Sequence, residues 1–168
     1  MLQHCYRTQG LRISRHEAVV HYIALNLRRQ GYNVNITPRI HTQEGLRIPD
    51  IVATRDTSGL VIDPSIASEQ SNLRVVYELK KRKYAYNSGI NDHITQSTGA
   101  TNIIHVPAIL SWRGLWCDKS ASTLRAVGTL NAWDLAVISS PVLLGGIIAF
   151  TRFNQVTTVC RPGVNRVA

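Results

Sequence analysis

Two short apolar runs that mirror each other around a turn constrain this chain most. The runs at 51–53 and 60–62 have strand-forming composition, and the Asp-Thr-Ser-Gly segment at 56–59 has turn chemistry. A hairpin centred on that turn pairs positions whose numbers sum to 113, so Asp50 faces Asp63. Directly opposed residues have Cβ atoms roughly 4.5–5.5 Å apart, and like charges at that distance repel. The sequence therefore predicts a divalent cation between these two carboxylates.

A lysine is predicted to join the two acids from a neighbouring helix. Residues at helical spacing predict a helix over 71–85 whose inward stripe consists of Leu73, Val76, Tyr77, Lys80 and Tyr84. An unpaired ammonium on an inward stripe is costly, and two nearby carboxylates remove that cost. Two carboxylates can hold Mg²⁺, for which Mn²⁺ can substitute, and a lysine can orient water or neutralise a phosphate oxyanion. Asp50, Asp63 and Lys80 are thus candidate catalytic residues for cleavage of a phosphodiester bond.

Two other acids are alternative metal ligands. Residues 75–80 can also be read as a strand ending in Glu78-Leu-Lys80, with Glu78 replacing Asp63 beside Asp50. The period near 3.6 over 71–84 favours the helix, under which Asp63 is the second ligand. Glu17 on the first predicted helix is either a further carboxylate of the site or an exposed helical side chain.

Several ordered motifs resemble one known domain family. Pro49-Asp50, Asp63 and Lys80, at spacings of 13 and 17 residues, resemble a PD-(D/E)xK nuclease motif whose lysine has moved to the following helix. Further stretches that resemble the same domain are Cys5–Gly10 with Arg15-His16, Gly31–Val34 ahead of Pro38, and Leu110–Trp116. Together, over roughly residues 1–155, they resemble the restriction-like endonuclease domain of non-LTR retrotransposons, in particular the single-ORF type that inserts into ribosomal RNA genes.

The resemblance implies an activity and a set of partners. It implies a Mg²⁺-dependent DNA endonuclease that nicks double-stranded target DNA in the nucleus, so that the 3′-OH primes reverse transcription. The parent polyprotein is then expected to be an RNA-directed DNA polymerase, with a reverse transcriptase, a zinc knuckle and, indirectly, the element RNA as partners. Residues 1–14, including Cys5, are expected to be a linker and the remnant of a truncated CCHC knuckle, residues 15–158 the nuclease domain, and residues 159–168 a frayed tail.

The predicted order of elements is that of an α/β protein. The pattern predicts a helix at 15–30, a strand at 32–37, hairpin strands at 49–55 and 59–65, the helix at 71–85, a loop at 87–92, a strand at 103–110, and helices at 119–128 and 131–153. The order α-β-β-β-α-β matches a restriction-endonuclease-like core, a mixed sheet flanked by helices, with extra C-terminal helices. The apolar stretch 142–150 is too short to span a bilayer and is predicted to be a core helix.

The charge balance favours a polyanionic partner. The net charge is +9 with only 10 acidic residues, which suggests nucleic acid, and no basic amphipathic helix indicates a membrane. Three widely spaced cysteines indicate a reducing compartment. The candidate nucleic-acid contacts are Arg47, Lys81, Lys83, Arg15 and Arg113. Trp112 and Trp116 flank Arg113 as either core or DNA-facing aromatics, and His16 is either a polar contact or a phosphate ligand.

Two rival functions remain open at this point. A Holliday-junction resolvase-like nuclease of similar fold would cleave four-way junctions as a stable dimer. A degenerate domain from a decayed element would bind DNA without cleaving it. The complete set of Asp50, Asp63 and Lys80 favours an enzyme, and the segment from Cys5 to Arg15 disfavours the resolvase.

Overall fold

A computed structural model describes residues 8–68, 70–85 and 88–159. The elements in chain order are α1 (Gln9–Arg29), β1 (Asn33–Ile36), β2 (Ile40–Thr42), β3 (Gly45–Arg47), β4 (Ile51–Arg55), β5 (Ser58–Ala67), α2 (Leu73–Ala85), α3 (Ser88–Thr98), β6 (Asn102–Ser111), α4 (Asp118–Ala126) and α5 (Ala132–Val159). Residues 1–7 and 160–168 lie outside this range, so the predicted knuckle remnant at Cys5 and nearly all of the predicted tail do too.

The central sheet is mixed and has helices on both faces. Its strand order is β1-β4-β5-β6, with antiparallel pairing of β1 with β4 and of β4 with β5, and parallel pairing of β5 with β6. The parallel pair needs a crossover connection, which α2 and α3 provide. This is the predicted α/β architecture, a mixed sheet flanked by helices.

Alternation along the central hairpin divides the core into two layers. Ile51 and Ile62 face a large cluster formed with α1, α4 and α5, where Ile23, Leu27 and Leu124 are fully buried. Neighbouring side chains on a strand point to opposite faces. Val52 and Val61 accordingly face a second cluster, which contains Ile40, Tyr84, Ile90 and Ile94.

The structure corrects three of the predicted elements in the first half of the chain. The first helix begins at Gln9 rather than at residue 15, so residues 9–14 are helical and not linker. Strands β2 and β3 form a small separate hairpin that the prediction lacked. Residues 75–80 belong to α2, so the alternative strand ending in Glu78 is wrong.

Residues 88–92, predicted to be loop, form the first turns of α3. The Ser, Gly, Asn and Asp residues of this segment are typical of turns. Ile90 and Ile94, one helical turn apart, are nonetheless almost completely buried in the second cluster. Burial of two isoleucines therefore outweighs the weak local propensity, and the helix ends before Gly99, whose φ is +77°.

The apolar stretch 142–150 is a helix, but only part of it is core. Val142 and Ala149 are buried, whereas five large apolar side chains within this stretch are exposed: Leu143, Leu144, Ile147, Ile148 and Phe150. The surrounding segment Ala132–Gln155 is long and apolar enough to cross a membrane by length and composition alone. The prediction of a core helix is therefore wrong for one face of α5.

Candidate active site

The two acids of the central hairpin meet as the mirror register predicts. The observed pairs of β4 and β5 run from Ile51 with Ile62 to Arg55 with Ser58, and each pair sums to 113. Asp50 stands one residue before β4, and Asp63 lies within β5 beside β6. Each carboxyl group shifts the pKa of the other, so the two groups lie close together.

Lys80 reaches the pair from α2. Its Nζ lies 2.6 Å from Oδ2 of Asp63, whose side chain is 6% exposed, while the lysine side chain is 27% exposed. Tyr77 and Tyr84, on the same stripe of α2, are buried. The helical spacing therefore places the ammonium at the acidic pair as predicted, between the buried carboxylate and solvent.

Environment separates the proton affinities of the two acids. Burial raises the pKa of Asp63 to about 6, against the opposing charge of Lys80. Burial also acts on Asp50, but the hydrogen bonds from His16 and Asp63 outweigh it, and the pKa of Asp50 is lowered. The pair thus combines one ionised carboxylate with one that loses its proton near neutral pH.

His16 on α1 is the fourth side chain at this point. Its Nε2 lies 3.3 Å from Oδ2 of Asp50 and 3.2 Å from the carbonyl oxygen of Pro64. The hydrogen bond with Asp50 raises the pKa of His16. Sequence reasoning left His16 between a polar contact and a phosphate ligand, because a helical pattern does not specify which strand an exposed side chain reaches.

An open groove of about 640 Å³ lies beside the acids. Arg12, His16, Glu17, Thr37 and Asp50 contribute to its lining. Glu17 is exposed on the groove wall, which keeps it near the acidic pair without any recorded contact to it. Most of its lining residues belong to α1, and Asp50 is the member of the acidic pair that it reaches.

Glu78, the other alternative ligand, is held elsewhere. Its carboxylate lies 2.6 Å from Nζ of Lys119 on α4 and is 45% exposed. Because α2 is helical, Glu78 and Lys80 point in different directions. The expectation that Glu78 could stand beside Asp50 is therefore wrong.

The candidate metal ligands at this site are two carboxylates, those of Asp50 and Asp63. Within residues 8–68, 70–85 and 88–159, no group of three or more His, Cys, Asp or Glu side chains is arranged to hold a metal ion. Two carboxylates still suit Mg²⁺, which commonly binds through one or two of them and completes its shell with water and substrate phosphates.

The predicted nucleic-acid contacts lie in different surroundings. Lys83 packs over the ring of Tyr84 at 4.7 Å, close to the acids, and Arg47 pairs with Glu44 at 3.2 Å on the hairpin that precedes Asp50. Lys81 instead lines a pocket with Glu78 and residues of α4. The three cations therefore have different neighbours.

Arg15 differs from the prediction of a surface contact. Only 7% of the residue is exposed, and its Nε and Nη1 have no hydrogen-bond partner among the described residues. Burial, followed by the nearby charge of Arg12, lowers the pKa of Arg15. Arg15 packs closely against Gly145 of α5, where the glycine leaves room for it. A Cβ at position 145 would lie 3.1 Å from Cδ of Arg15.

The two tryptophans have separate environments. Arg113 is exposed and packs over the ring of Trp112 at 4.9 Å, which leaves a cation at the surface. Nε1 of Trp116 donates to the carbonyl of Leu135 at 3.0 Å, and its ring packs against the main core. Trp116 is thus structural. Arg113, stacked on Trp112 at the surface, stays a candidate nucleic-acid contact.

Comparison with known proteins identifies homologues of this chain. No protein-family model matches it. The Pol polyprotein of the type-2 retrotransposable element R2DM of Drosophila melanogaster is 31% identical over 91% of this chain and 14% of that protein. The Pol polyprotein of a type-1 R2 element of Nasonia vitripennis is 30% identical over 94% of this chain and 15% of that protein. A solved protein of unknown function is 17% identical, with a TM-score of 0.39, over 65% of this chain and 53% of that one.

The homologues are therefore Pol polyproteins of R2 retrotransposable elements. The chain spans about one seventh of the length of these curated relatives. It thus corresponds to a domain-sized region of such a polyprotein.

Proposed function

We propose that this chain is a Mg²⁺-dependent DNA endonuclease domain of a retrotransposon polyprotein, which nicks target DNA so that the new 3′-OH primes reverse transcription. The observation that carries the proposal is the meeting of Asp50, Asp63 and Lys80, with Lys80 Nζ 2.6 Å from Asp63 Oδ2. Homology to R2 Pol polyproteins supports the context of a retrotransposon.

The order of elements supports a restriction-endonuclease-like core. Without the small β2–β3 hairpin and α3, the first six elements follow α-β-β-β-α-β, as α1, β1, β4, β5, α2 and β6. The acids come from the central antiparallel pair, and the lysine comes from the helix that follows it. In this proposal the hairpin and α3 are insertions, and α4 and α5 are C-terminal additions.

Asp50 and Asp63 would hold the metal ion. When bound, Mg²⁺ supplies Lewis-acid stabilisation of the phosphate and a bound water of lowered pKa. Both carboxylates must be ionised to serve as ligands, and the pKa of Asp63 near 6 allows this at neutral pH.

Lys80 would stabilise the reacting phosphate. Its ammonium is fixed by the ion pair with Asp63, so it need not reorganise when negative charge develops on the phosphate oxygens. A preorganised cation of this kind costs no reorientation during the reaction. The lysine also offers donors that can orient the attacking water.

Double-stranded DNA is the proposed substrate, in the nucleus. The net charge of +9 supports a polyanionic partner. The proposed phosphate contacts are Lys83 beside Tyr84, Arg47 on the hairpin before Asp50, and Arg113 over Trp112. The remainder of the polyprotein, with its reverse transcriptase and zinc knuckle, is the proposed protein partner.

A metal-dependent nicking assay on supercoiled plasmid tests the proposal. Wild type should convert supercoiled to open circular DNA in Mg²⁺ or Mn²⁺, alone or with the rest of the polyprotein supplied in trans. Asp50→Ala and Asp63→Ala should abolish nicking while duplex binding in EDTA stays near wild type. Glu78→Ala is the matched control, since it removes an acid of the same region that lies away from the pair.

Two results would contradict the enzyme. A wild type without nicking that depends on Asp50, in either context, would leave a DNA-binding domain without nuclease activity. Cleavage confined to four-way junctions would instead support the resolvase.

A further inference from the structure

The side chain of Asp50 has an anchor of its own. Asp50 precedes β4, and its backbone is fixed where its carbonyl oxygen accepts the N–H of Thr37 at 2.8 Å. That bond holds the main chain but leaves the side-chain torsions free. The polar groups near the carboxylate are the imidazole of His16, the carboxyl group of Asp63 and the ammonium of Lys80.

The geometry of His16 fixes which of its nitrogens holds a proton. Nε2 faces Oδ2 of Asp50 at 3.3 Å and the carbonyl oxygen of Pro64 at 3.2 Å. Both partners are acceptors in the ionised site, so Nε2 must be the donor. The Nε2–H of His16 therefore links the carboxylate of Asp50 with the carbonyl oxygen of Pro64, the residue after Asp63 in β5.

This connection opposes the repulsion within the acidic pair. When both carboxylates are ionised, like charges on directly opposed positions repel. Asp63 is held by Lys80 at 2.6 Å and by burial, so Asp50 is the member that can turn away. The contact with Nε2 of His16 keeps Oδ2 of Asp50 on the side of β5, near the carbonyl oxygen of Pro64.

We infer that His16 is a positioning residue, which orients the Asp50 carboxylate for cation binding without ligating the cation itself. The inference rests on the metal site of the proposed function and not on its nuclease activity, because it assumes that Asp50 and Asp63 share a metal ion. Hydrogen-bond partners of metal-ligating groups typically affect metal affinity by 10–100-fold. Loss of the imidazole should therefore weaken cation binding by about 10–100-fold and leave duplex binding in EDTA unchanged.

Direct Mn²⁺ binding to the full chain without DNA separates this inference from nuclease activity. Electron paramagnetic resonance or calorimetry would compare wild type with His16→Ala and His16→Gln. His16→Ala should raise the Mn²⁺ dissociation constant by about 10–100-fold, and the Mg²⁺ concentration for half-maximal nicking should rise in parallel. His16→Gln should recover most of the affinity, because its side-chain amide can still donate to Asp50.

His21→Ala is the matched control. His21 lies on the same helix and lines the same groove, but it is exposed, and its Nδ1 lies 2.8 Å from the backbone carbonyl oxygen of Glu17. Its removal should leave Mn²⁺ affinity unchanged. A similar loss of affinity in His21→Ala and His16→Ala would indicate a general effect of α1 and overturn the inference.

Other outcomes also decide the matter. Unchanged Mn²⁺ affinity in His16→Ala, with only a lower melting temperature, would show a merely structural role and overturn the inference. Nitrogen hyperfine coupling to Mn²⁺ in wild type that His16→Ala removes would show direct ligation and overturn it as well. Mn²⁺ binding that depends on His16, in a wild type that does not nick DNA, would refute the proposed function but support the inference.

Discussion

Asp63 combines deep burial with an ionisable carboxyl group. Only 4% of the residue is exposed, and burial raises its pKa to about 6. Lys80 offsets part of the cost of the ionised form, and Asp50 adds to it through like charge. The protein therefore keeps a carboxylate whose proton is easily displaced, at the place proposed for a cation.

The raised pKa of Asp63 predicts a pH-dependent stability in EDTA. Between pH 4 and 6 the folded chain holds a proton at Asp63 that the unfolded chain releases, so stability falls as pH rises through this window. The free energy of unfolding of wild type, relative to Asp63→Asn, should fall by about 1–3 kcal/mol across it. Chemical denaturation at several pH values measures this difference, and parallel curves for the two proteins would contradict it.

Substitution of Lys80 separates charge stabilisation from metal binding. Lys80→Ala should reduce the nicking rate by about 10²–10³-fold, because one preorganised cation is lost while both carboxylates remain. Lys80→Arg should recover little, since a planar guanidinium replaces a compact ammonium. Single-turnover nicking at saturating Mg²⁺ measures the rate, and full activity of Lys80→Ala would exclude a catalytic role.

At the scale of elements, α5 is a helix with two unlike faces. One face packs on α1 and the core through Val142 and Ala149, and the other exposes Leu144 and Ile148. Exposed apolar patches of this kind commonly mark interaction sites or aggregation-prone surfaces. The helix therefore contributes to the core and also leaves apolar surface uncovered.

Two truncations on α5 should differ in their effect on stability. Val142→Ala removes buried methyl groups and should lower the free energy of unfolding by about 1–3 kcal/mol. Leu144→Ala, at a residue that is 59% exposed, should change it by less than about 0.5 kcal/mol. Urea denaturation of both variants measures the difference, and equal losses would mean that the exposed face is buried in solution.

At the scale of the whole molecule, charge and groove act together. A net charge of +9 favours binding of a polyanion such as the proposed DNA substrate, and the groove along α1 reaches Asp50. Such binding releases counterions from DNA and weakens steeply with salt. Sequence preference would need contacts to base edges in addition.

The salt dependence of duplex binding should distinguish two neighbouring lysines. Lys83→Ala should reduce the slope of log affinity against log salt by about one unit, because Lys83 lies over Tyr84 near the acids. Lys81→Ala should have a smaller effect, since Lys81 lies beside Glu78 and Asp118 near α4. Fluorescence anisotropy over a range of salt concentrations in EDTA measures both slopes. An unchanged slope for Lys83→Ala would mean that Lys83 is a solvated lysine that does not contact phosphate.

The sequence by itself determined the parts of the site that depend on local periodicity. The hairpin register follows from one turn and two short strands, so the pairing of Asp50 with Asp63 was predictable. The helical stripe of α2 likewise predicted that Lys80 faces inward. Both inferences use interactions between near neighbours in the chain, where the backbone geometry of strands and helices leaves few choices.

Only the tertiary structure decided which distant groups complete these patterns. His16 reaches Asp50 and Pro64 across more than thirty residues of chain, and Arg15 is buried against Gly145 of the last long helix. The helix α3 forms because Ile90 and Ile94 find a buried partner surface, although their neighbours favour a turn. Periodicity shows which face of a helix or strand a residue lies on. The element that packs on that face is remote in sequence, and the apolar surface buried between the two outweighs local propensity.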